Sequence, residues 1–290
     1  MNSLDPEFDA DFYRKSYPDL QHMDRTTAED HWHQFGIREG RLGSRLAIRE
    51  NFIPFLSEET SILEIGPFGK PVVTGPHVSY FDVLSQDDLK ARAERIGLDP
   101  DRVPAIDWVS PVGDLSIVDR RFTAVVSSHC VEHQPDLIRH LKAVANVLKA
   151  GGRYYLVVPD KRFCFDALIP ESSVADIIEA RGATVHKLLS VIEHRAFTTH
   201  NDTSRHWAGD HLDDTHWESV LPRTNAALKE FEAAAGGYVD VHAWQFTPDS
   251  FRAVMAALHR KGLIDLVVER VYQTAFHKNE FTAVLCKPGE

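Results

Sequence analysis

The sequence predicts a doubly wound α/β protein on a mostly parallel sheet, and three observations carry that reading. Five short apolar runs, at residues 62–65, 78–83, 105–109, 122–127 and 154–158, have the length of strands buried on both faces of a parallel sheet. Between the fourth and fifth lies a strongly patterned helix. Its Leu137, Ile138, Leu141, Val144, Ala145 and Leu148 share one face, Pro135 and Asp136 open it, and Gly151-Gly152 follow it, so strand, helix and strand make one βαβ unit. Two last runs, 264–271 and 281–286, are close enough to pair as a C-terminal antiparallel hairpin, which brings the sheet to seven strands.

The remaining segments follow from composition. Residues 1–45 form a separate block, rich in aromatic and charged residues and punctuated by Gly36, Gly40 and Gly43. In it Phe12, Tyr13, Tyr17 and Leu20 stand at helical spacing ahead of Trp32 and Phe35, which predicts two short helices packing aromatics together. Residues 45–56 are amphipathic. The main unit is expected over 46–165 and 243–290, with a helix at 248–258. Residues 166–242 read as an insertion after the fifth strand, polar and holding His186, His194, His200, His206, His211, His216 and His242.

Lys and Arg total 32 against 43 Asp and Glu, a net charge of −11, so a nucleic-acid backbone would be repelled and no nucleic-acid partner is expected. No apolar run approaches the ~20 residues of a membrane span, and the first residues lack the basic and apolar pattern of a secretion signal. Cys130, Cys164 and Cys286 show no metal or disulfide spacing and read as reduced thiols of a cytoplasmic protein.

In an open parallel sheet, ligands lie beyond the carboxyl ends of the strands. Those ends are acidic here: Glu64 and Gly66 on the first, Asp82 on the second, Asp107 or Asp114 after the third, Ser127-Ser128-His129 on the fourth and Pro159-Asp160 on the fifth. Carboxylates at strand ends also serve as caps and turns. The first loop, Gly66-Pro67-Phe68-Gly69-Lys70-Pro71, lacks the G-x-G-x-x-G of dinucleotide sites and leaves little room for a helix, and no P-loop pattern occurs. A ligand without phosphates but with ammonium and sulfonium charges suits such a rim. S-adenosylmethionine is such a ligand.

These motifs together resemble the class I S-adenosylmethionine-dependent methyltransferases, over about residues 45–165 and the C-terminal hairpin. The resemblance implies a Rossmann-like fold in which Ile62-Leu63-Glu64-Ile65-Gly66, with Pro67 and Phe68, cradles the methionine part of the cofactor. It implies that Asp82 binds the ribose hydroxyls, that Asp114 and Leu115 meet the adenine, with Asp107 a rival for the former, and that Ser128 and His129 border the cofactor. Val125-Val126-Ser127-Ser128-His129-Cys130-Val131-Glu132-His133 and Leu156-Val157-Val158-Pro159 match the family's fourth and fifth strands. Phe68 departs from the family's second glycine. Phe8-Asp9-x-x-Phe12-Tyr13-x-x-x-Tyr17-Pro18-Asp19-Leu20 and His31-Trp32-x-x-x-Gly36-x-Arg38-Glu39-Gly40-Arg41 are similar to a helical module attached to bacterial cell-surface polysaccharide enzymes. That likeness implies a sugar acceptor and association with polysaccharide-biosynthesis enzymes.

His129-x-x-Glu132-His133 also satisfies a zinc-protease pattern, but its first histidine ends a strand and Pro135 starts the helix only afterwards, so no zinc is assigned there. Transfer to a hydroxyl requires a base, for which His129, His133, His206 and His211 are the candidates. Segment 201–216 suits a lid over a small-molecule or sugar acceptor. Its Asp210, His211, Asp213, Asp214 and His216 could hold magnesium or manganese, or form a solvated acidic loop; no metal is assigned. Lys161 or Arg162 could bind an anionic acceptor or pair with Asp160 and Asp166. Rival readings are a non-catalytic cofactor-binding module, a metal hydrolase built on the histidines, and a methyltransferase for a small molecule or protein.

Overall fold

The computed structural model describes residues 4–289, so the first three residues of the predicted N-terminal block and Glu290 lie outside the described residues. The strands are β1 (Ile62–Ile65), β2 (Val78–Asp82), β3 (Trp108–Val109), β4 (Phe122–Ser128), β5 (Leu148–Pro159), β6 (Val267–Val271) and β7 (Glu280–Cys286). Among the described residues they form one sheet in the order β3-β2-β1-β4-β5-β7-β6. β1 to β5 run parallel, and β7 lies antiparallel between β5 and β6. This is the doubly wound, Rossmann-like α/β architecture with a C-terminal antiparallel hairpin.

Alternation along the strands builds two buried faces. Leu63, Ile65, Val125 and Leu156 point to one side, and Ile62, Ala124, Val126 and Val157 to the other, all fully or nearly buried. The helices that precede β4 are α1 (Ala10–Ser16), α2 (Arg25–His31), α3 (Arg49–Leu56) and α4 (Gln86–Arg95). Phe52 and Leu56 of α3 cover the second face. On the first face lie α5 (Leu137–Val147) and, later in the chain, the helix Pro248–Arg260. Asp136 caps α5 by accepting the Arg139 N–H at 2.9 Å, and Leu137, Ile138, Leu141, Val144 and Val147 then bury against the sheet. Each such side chain contributes roughly 1.5–3 kcal/mol relative to exposure.

Between β1 and β2 there is no helix, as the short loop predicts. β3 is shorter than the predicted run because the Asp107 carboxylate takes the Tyr80 N–H at 2.8 Å, and pairing as a strand begins only at Trp108. β5 starts directly after α5, at Leu148, so Gly151-Gly152 lie inside the strand.

The insertion is mostly helical: α6 (Val174–Glu179), α7 (Leu188–Ile192), α8 (Thr203–Trp207) and α9 (His216–Ala233) precede α10 (Pro248–Arg260). Only His216 and Ala227 of α9 are buried, so its sequence carries no apolar stripe. Val191, Ala227, Val239 and Val241 make a small core of the insertion's own. In the N-terminal block Tyr13, Leu20, Ala28 and Trp32 do the same with Phe8 and Tyr17, whereas Phe35 is 52% exposed and not part of the expected aromatic packing. The block is fastened to the β6 edge: Glu7 accepts the Val271 N–H at 2.8 Å, and the Asp5 carbonyl accepts the Tyr272 hydroxyl at 2.8 Å.

Candidate functional site

The strand order reverses between β1 and β4, and the residues beyond their carboxyl ends frame the site. Gly66 turns the chain at φ +69°, a left-handed conformation that glycine adopts without strain. A side-chain carbon there would stand 3.6 Å from Cys130 Sγ, so the loops after β1 and β4 lie side by side at this turn. Pro67 is buried behind it, and Phe68, at φ +49°, lies beneath the Arg92 guanidinium. Asp82 ends β2 at 6% exposure with its Oδ1 on the Leu84 N–H at 3.0 Å. Burial pushes its carboxyl up, against the pull of backbone N–H groups at Leu84, Val83 and Phe68. Ser128 closes β4, half-buried, and His129 follows at φ +50°. A non-glycine residue in that region is strained, and such strain concentrates at functional sites.

The predicted row of carboxylates is largely satisfied by the chain itself, which corrects the expectation. Both Glu64 oxygens are taken, by the Val72 and Val73 N–H groups at 2.8 and 3.1 Å. Burial pushes this carboxyl up to about 7 against those bonds, so Glu64 ties down the loop after β1 instead of presenting a charge to a ligand. Asp107 is held in the sheet by Tyr80. Asp160 is fully buried, clamped by Arg162 Nη2 at 2.6 Å and by the Thr274 hydroxyl at 2.6 Å. That leaves Asp82 on the rim, with Asp114 to one side. The carboxyl of Asp114 is held low by the Ser116 N–H and hydroxyl, which it accepts at 2.9 and 2.8 Å. Leu115 is buried in the core. Asp114 and Leu115 also border a cavity of about 950 Å³ facing Ile138 and Arg139 of α5, which none of Gly66, Asp82, Ser128 and His129 lines. Position on the fold therefore assigns the site, not cavity size.

The four predicted base candidates fall into two places. His129 and His133 flank Glu132 at the mouth of β4. His129 Nε2 is 2.7 Å from Glu280 Oε2, and Arg49 holds the same carboxylate at 2.6 Å. His133 Nδ1 is 2.9 Å from Asp240 Oδ1, an ion-pair contact off the line of a well-formed hydrogen bond. Burial opposes a charge on His133, but Asp240 and Glu132 outweigh it and raise its pKa. Burial raises the pKa of the Cys130 thiol, which disfavours its thiolate form.

His206 and His211 belong elsewhere. Their Nδ1 atoms face each other at 2.8 Å, and His206 Nε2 meets the His200 carbonyl at 3.0 Å, beside a stack of Trp207 on Phe163. Burial lowers the His206 pKa. In the same segment Asp210 and Asp213 both pair with Arg205 at 2.7 Å, so these carboxylates hold a cation of the chain's own. Arg162 pairs with Asp160, as the pairing alternative expects, whereas Lys161 reaches the Ala167 backbone carbonyl and neither carboxylate.

Sequence reasoning missed three members of the β4 cluster. His242 is 2.6 Å from Asp166 Oδ2, and its ring packs on His133 with centroids 4.7 Å apart. The Ala243 N–H donates to the Glu132 carbonyl at 2.8 Å and fixes this distant segment against the turn after β4. Asp240 and Asp166 arrive with the same folding. Only the histidine richness of the insertion pointed toward it.

Comparison with known proteins gives one family match. Residues 84–156 match the family model described as a methyltransferase domain. A search of curated proteins finds no match. Among solved structures, the CcbJ methyltransferase from Streptomyces caelestis is 17% identical, over 40% of this chain and 52% of its own, with a TM-score of 0.29. The chain thus spans about half the length of that structure. The mitomycin 7-O-methyltransferase MmcR is 11% identical over 95% of this chain and 60% of its own, with a TM-score of 0.40. The plantazolicin methyltransferase BpumL, solved with SAH, is 11% identical over 95% and 92%, also at 0.40. At such scores these likenesses carry no functional argument.

Proposed function

We propose that the protein is an S-adenosylmethionine-dependent methyltransferase acting on a hydroxyl of a sugar or sugar-containing polysaccharide precursor. The observation that carries the enzyme reading is the rim at the β1/β4 reversal: a left-handed Gly66 beside a buried Asp82, facing Ser128 and a strained His129. The match of residues 84–156 to a methyltransferase domain supports it. The sugar rests on the likeness of the N-terminal block, whose separate aromatic core and docking to β6 suit an attached module that meets other polysaccharide enzymes. The three free cysteines suit a cytoplasmic setting, and no helix among the described residues is long and apolar enough to cross a membrane.

When bound, S-adenosylmethionine supplies an electrophilic methyl group. The chain's residues do the rest. Asp82 would hold the ribose hydroxyls, the Gly66-Pro67-Phe68 turn the methionine part, Ser128 the near wall, and Asp114 with Leu115 the adenine side. His129 would take the acceptor's hydroxyl proton, and Glu280, 2.7 Å away, would stabilise the imidazolium that results. His206 and His211, paired with each other, are not used in this assignment.

Calorimetry with S-adenosylmethionine, paired with transfer of labelled methyl to sugar acceptors, tests the reading. One bound equivalent, lost in Asp82→Ala, and label in the sugar fraction are expected. No binding refutes the enzyme reading. Binding with label only in a protein or non-sugar fraction refutes the acceptor, and binding without any turnover identifies a binding module.

A further inference from the structure

The turn after β4 and the segment entering α10 enclose a cluster that the proton transfer above uses only in part. Glu132 is 1% exposed, and neither of its carboxylate oxygens has a hydrogen-bond partner. A carboxylate buried in this way costs several kcal/mol unless an opposite charge meets it. Three imidazole nitrogens surround its Oε1: His129 Nδ1 at 3.7 Å, His133 Nε2 at 3.9 Å and His242 Nε2 at 3.9 Å. These separations are too long for hydrogen bonds. They approach the ~3.4 Å between neighbouring ligands of a tetrahedral ion with bonds of about 2.1 Å. One ligand atom each from Glu132, His133 and His242 lies within 4.8 Å of the other two.

The far nitrogens make the pattern more specific. His242 Nδ1 is bonded to Asp166 Oδ2 at 2.6 Å, and His133 Nδ1 stands 2.9 Å from Asp240 Oδ1. A carboxylate on the outer nitrogen is how proteins orient metal-binding imidazoles and raise their basicity. The backbone fixes the geometry too, because the Ala243 and Trp244 N–H groups both donate to the Glu132 carbonyl.

We propose that Glu132, His133 and His242 bind a divalent first-row transition-metal ion. Two imidazoles and one carboxylate select zinc, manganese or ferrous iron over magnesium or calcium, which take oxygen ligands. A second group, Asp166, His194 and His242, also lies close together. Its two imidazole Nδ1 atoms are already engaged, since His242 Nδ1 bonds Asp166 Oδ2 and His194 Nδ1 accepts the His242 N–H at 3.1 Å, while Asp166 Oδ1 has no hydrogen-bond partner. It forms the outer wall that orients His242.

The ion's role rests on the proposed methyl transfer. With three protein ligands it keeps a position open for an acceptor oxygen. There it would orient the hydroxyl and lower its pKa; as the oxygen takes the methyl group and the S–CH3 bond of the sulfonium breaks, the O–H proton would pass to His129, whose Nδ1 is 3.7 Å from Glu132 Oε1. The acceptor is thereby a hydroxylated molecule that reaches the ion through oxygen.

The full chain, stripped with a chelator, is titrated with zinc and with cobalt, and its metal content is read by mass spectrometry. One equivalent is expected, with visible cobalt bands at the intensity of nitrogen and oxygen coordination. Glu132→Gln and His242→Ala should each weaken binding at least 100-fold, and Asp166→Asn, which leaves all three ligands in place, by about 10–100-fold. His211→Ala should bind as wild type does. Absence of stoichiometric binding to wild type, or wild-type affinity in folded Glu132→Gln and His242→Ala, overturns the site. S-adenosylmethionine titrations of the same samples separate the two proposals: cofactor binding without metal removes the metal site alone, and metal without cofactor removes the methyltransferase reading alone.

Discussion

Glu280 is the residue whose chemistry is most sharply set by its neighbours. Burial opposes its ionisation, but Arg49 and His129 outweigh burial and pull the carboxyl down to about 2. A carboxyl depressed in the folded state stabilises the protein above its unfolded value near 4.5, and that stabilisation is lost as pH falls toward 2. At neutral pH it amounts to about 3 kcal/mol. Denaturant unfolding of wild type and Glu280→Gln should therefore differ by that order at pH 6 and converge between pH 4.5 and pH 2; a pH-independent gap would contradict it. His129→Ala tests the proton transfer directly. Its kcat should fall by 10²–10⁴. Gly66 and Asp82 were legible in the sequence because a residue's place at the end of an apolar run fixes its place on the rim. Glu64 was misleading for the same reason: the strand reads correctly, but Val72 and Val73 fold back to take its carboxylate, and nothing local announces that.

At the scale of elements, periodicity was readable wherever a face is buried. Strands β1, β2, β4 and β7 and helices α5 and α10 lie at or within a few residues of their predicted bounds. Helix α9, with only two buried residues, left no stripe to read. The N-terminal helices were legible from their aromatics, though Phe35 turns outward because α2 continues into a π turn at Trp32–Gly36. Gly36 there is a matter of close approach. An added side-chain carbon would collide with the Tyr13 hydroxyl and come within 2.9 Å of Trp32 Cδ1. Gly36→Ala should destabilise the block by about 1–3 kcal/mol, seen as an early loss of near-ultraviolet aromatic signal before the main transition. Deleting residues up to 44 exposes the β6 edge that Asp5 and Glu7 cover, and light scattering should then show association.

For the whole molecule, one sheet places these residues beyond the carboxyl ends of its strands, and residues 238–243 pack against the turn after β4. Arg92 of α4 approaches Asp240 at 3.6 Å, and Asp240 reaches His133, so the first half of the sheet, the turn after β4 and the insertion meet there. The fold class was legible because seven apolar runs and one clean helix suffice to specify a doubly wound sheet. The assembled site was only half legible. His129 and His133 share a motif, but His242, Asp166 and Asp240 arrive through long-range folding, and a strand end followed by a helix start hides in the sequence how close the motif's two histidines come. The left-handed turn at His129 and the short 3₁₀ segment Val131–His133 bring both round one carboxylate instead. The methyl donor is proposed to bind beyond the carboxyl ends of β1 and β4. Calorimetry of the intact chain with S-adenosylmethionine tests it most directly. Saturable binding of one equivalent, weakened at least tenfold in Asp82→Ala while the variant stays folded, is the predicted result; no heat of binding to wild type, or full affinity in the variant, would contradict it.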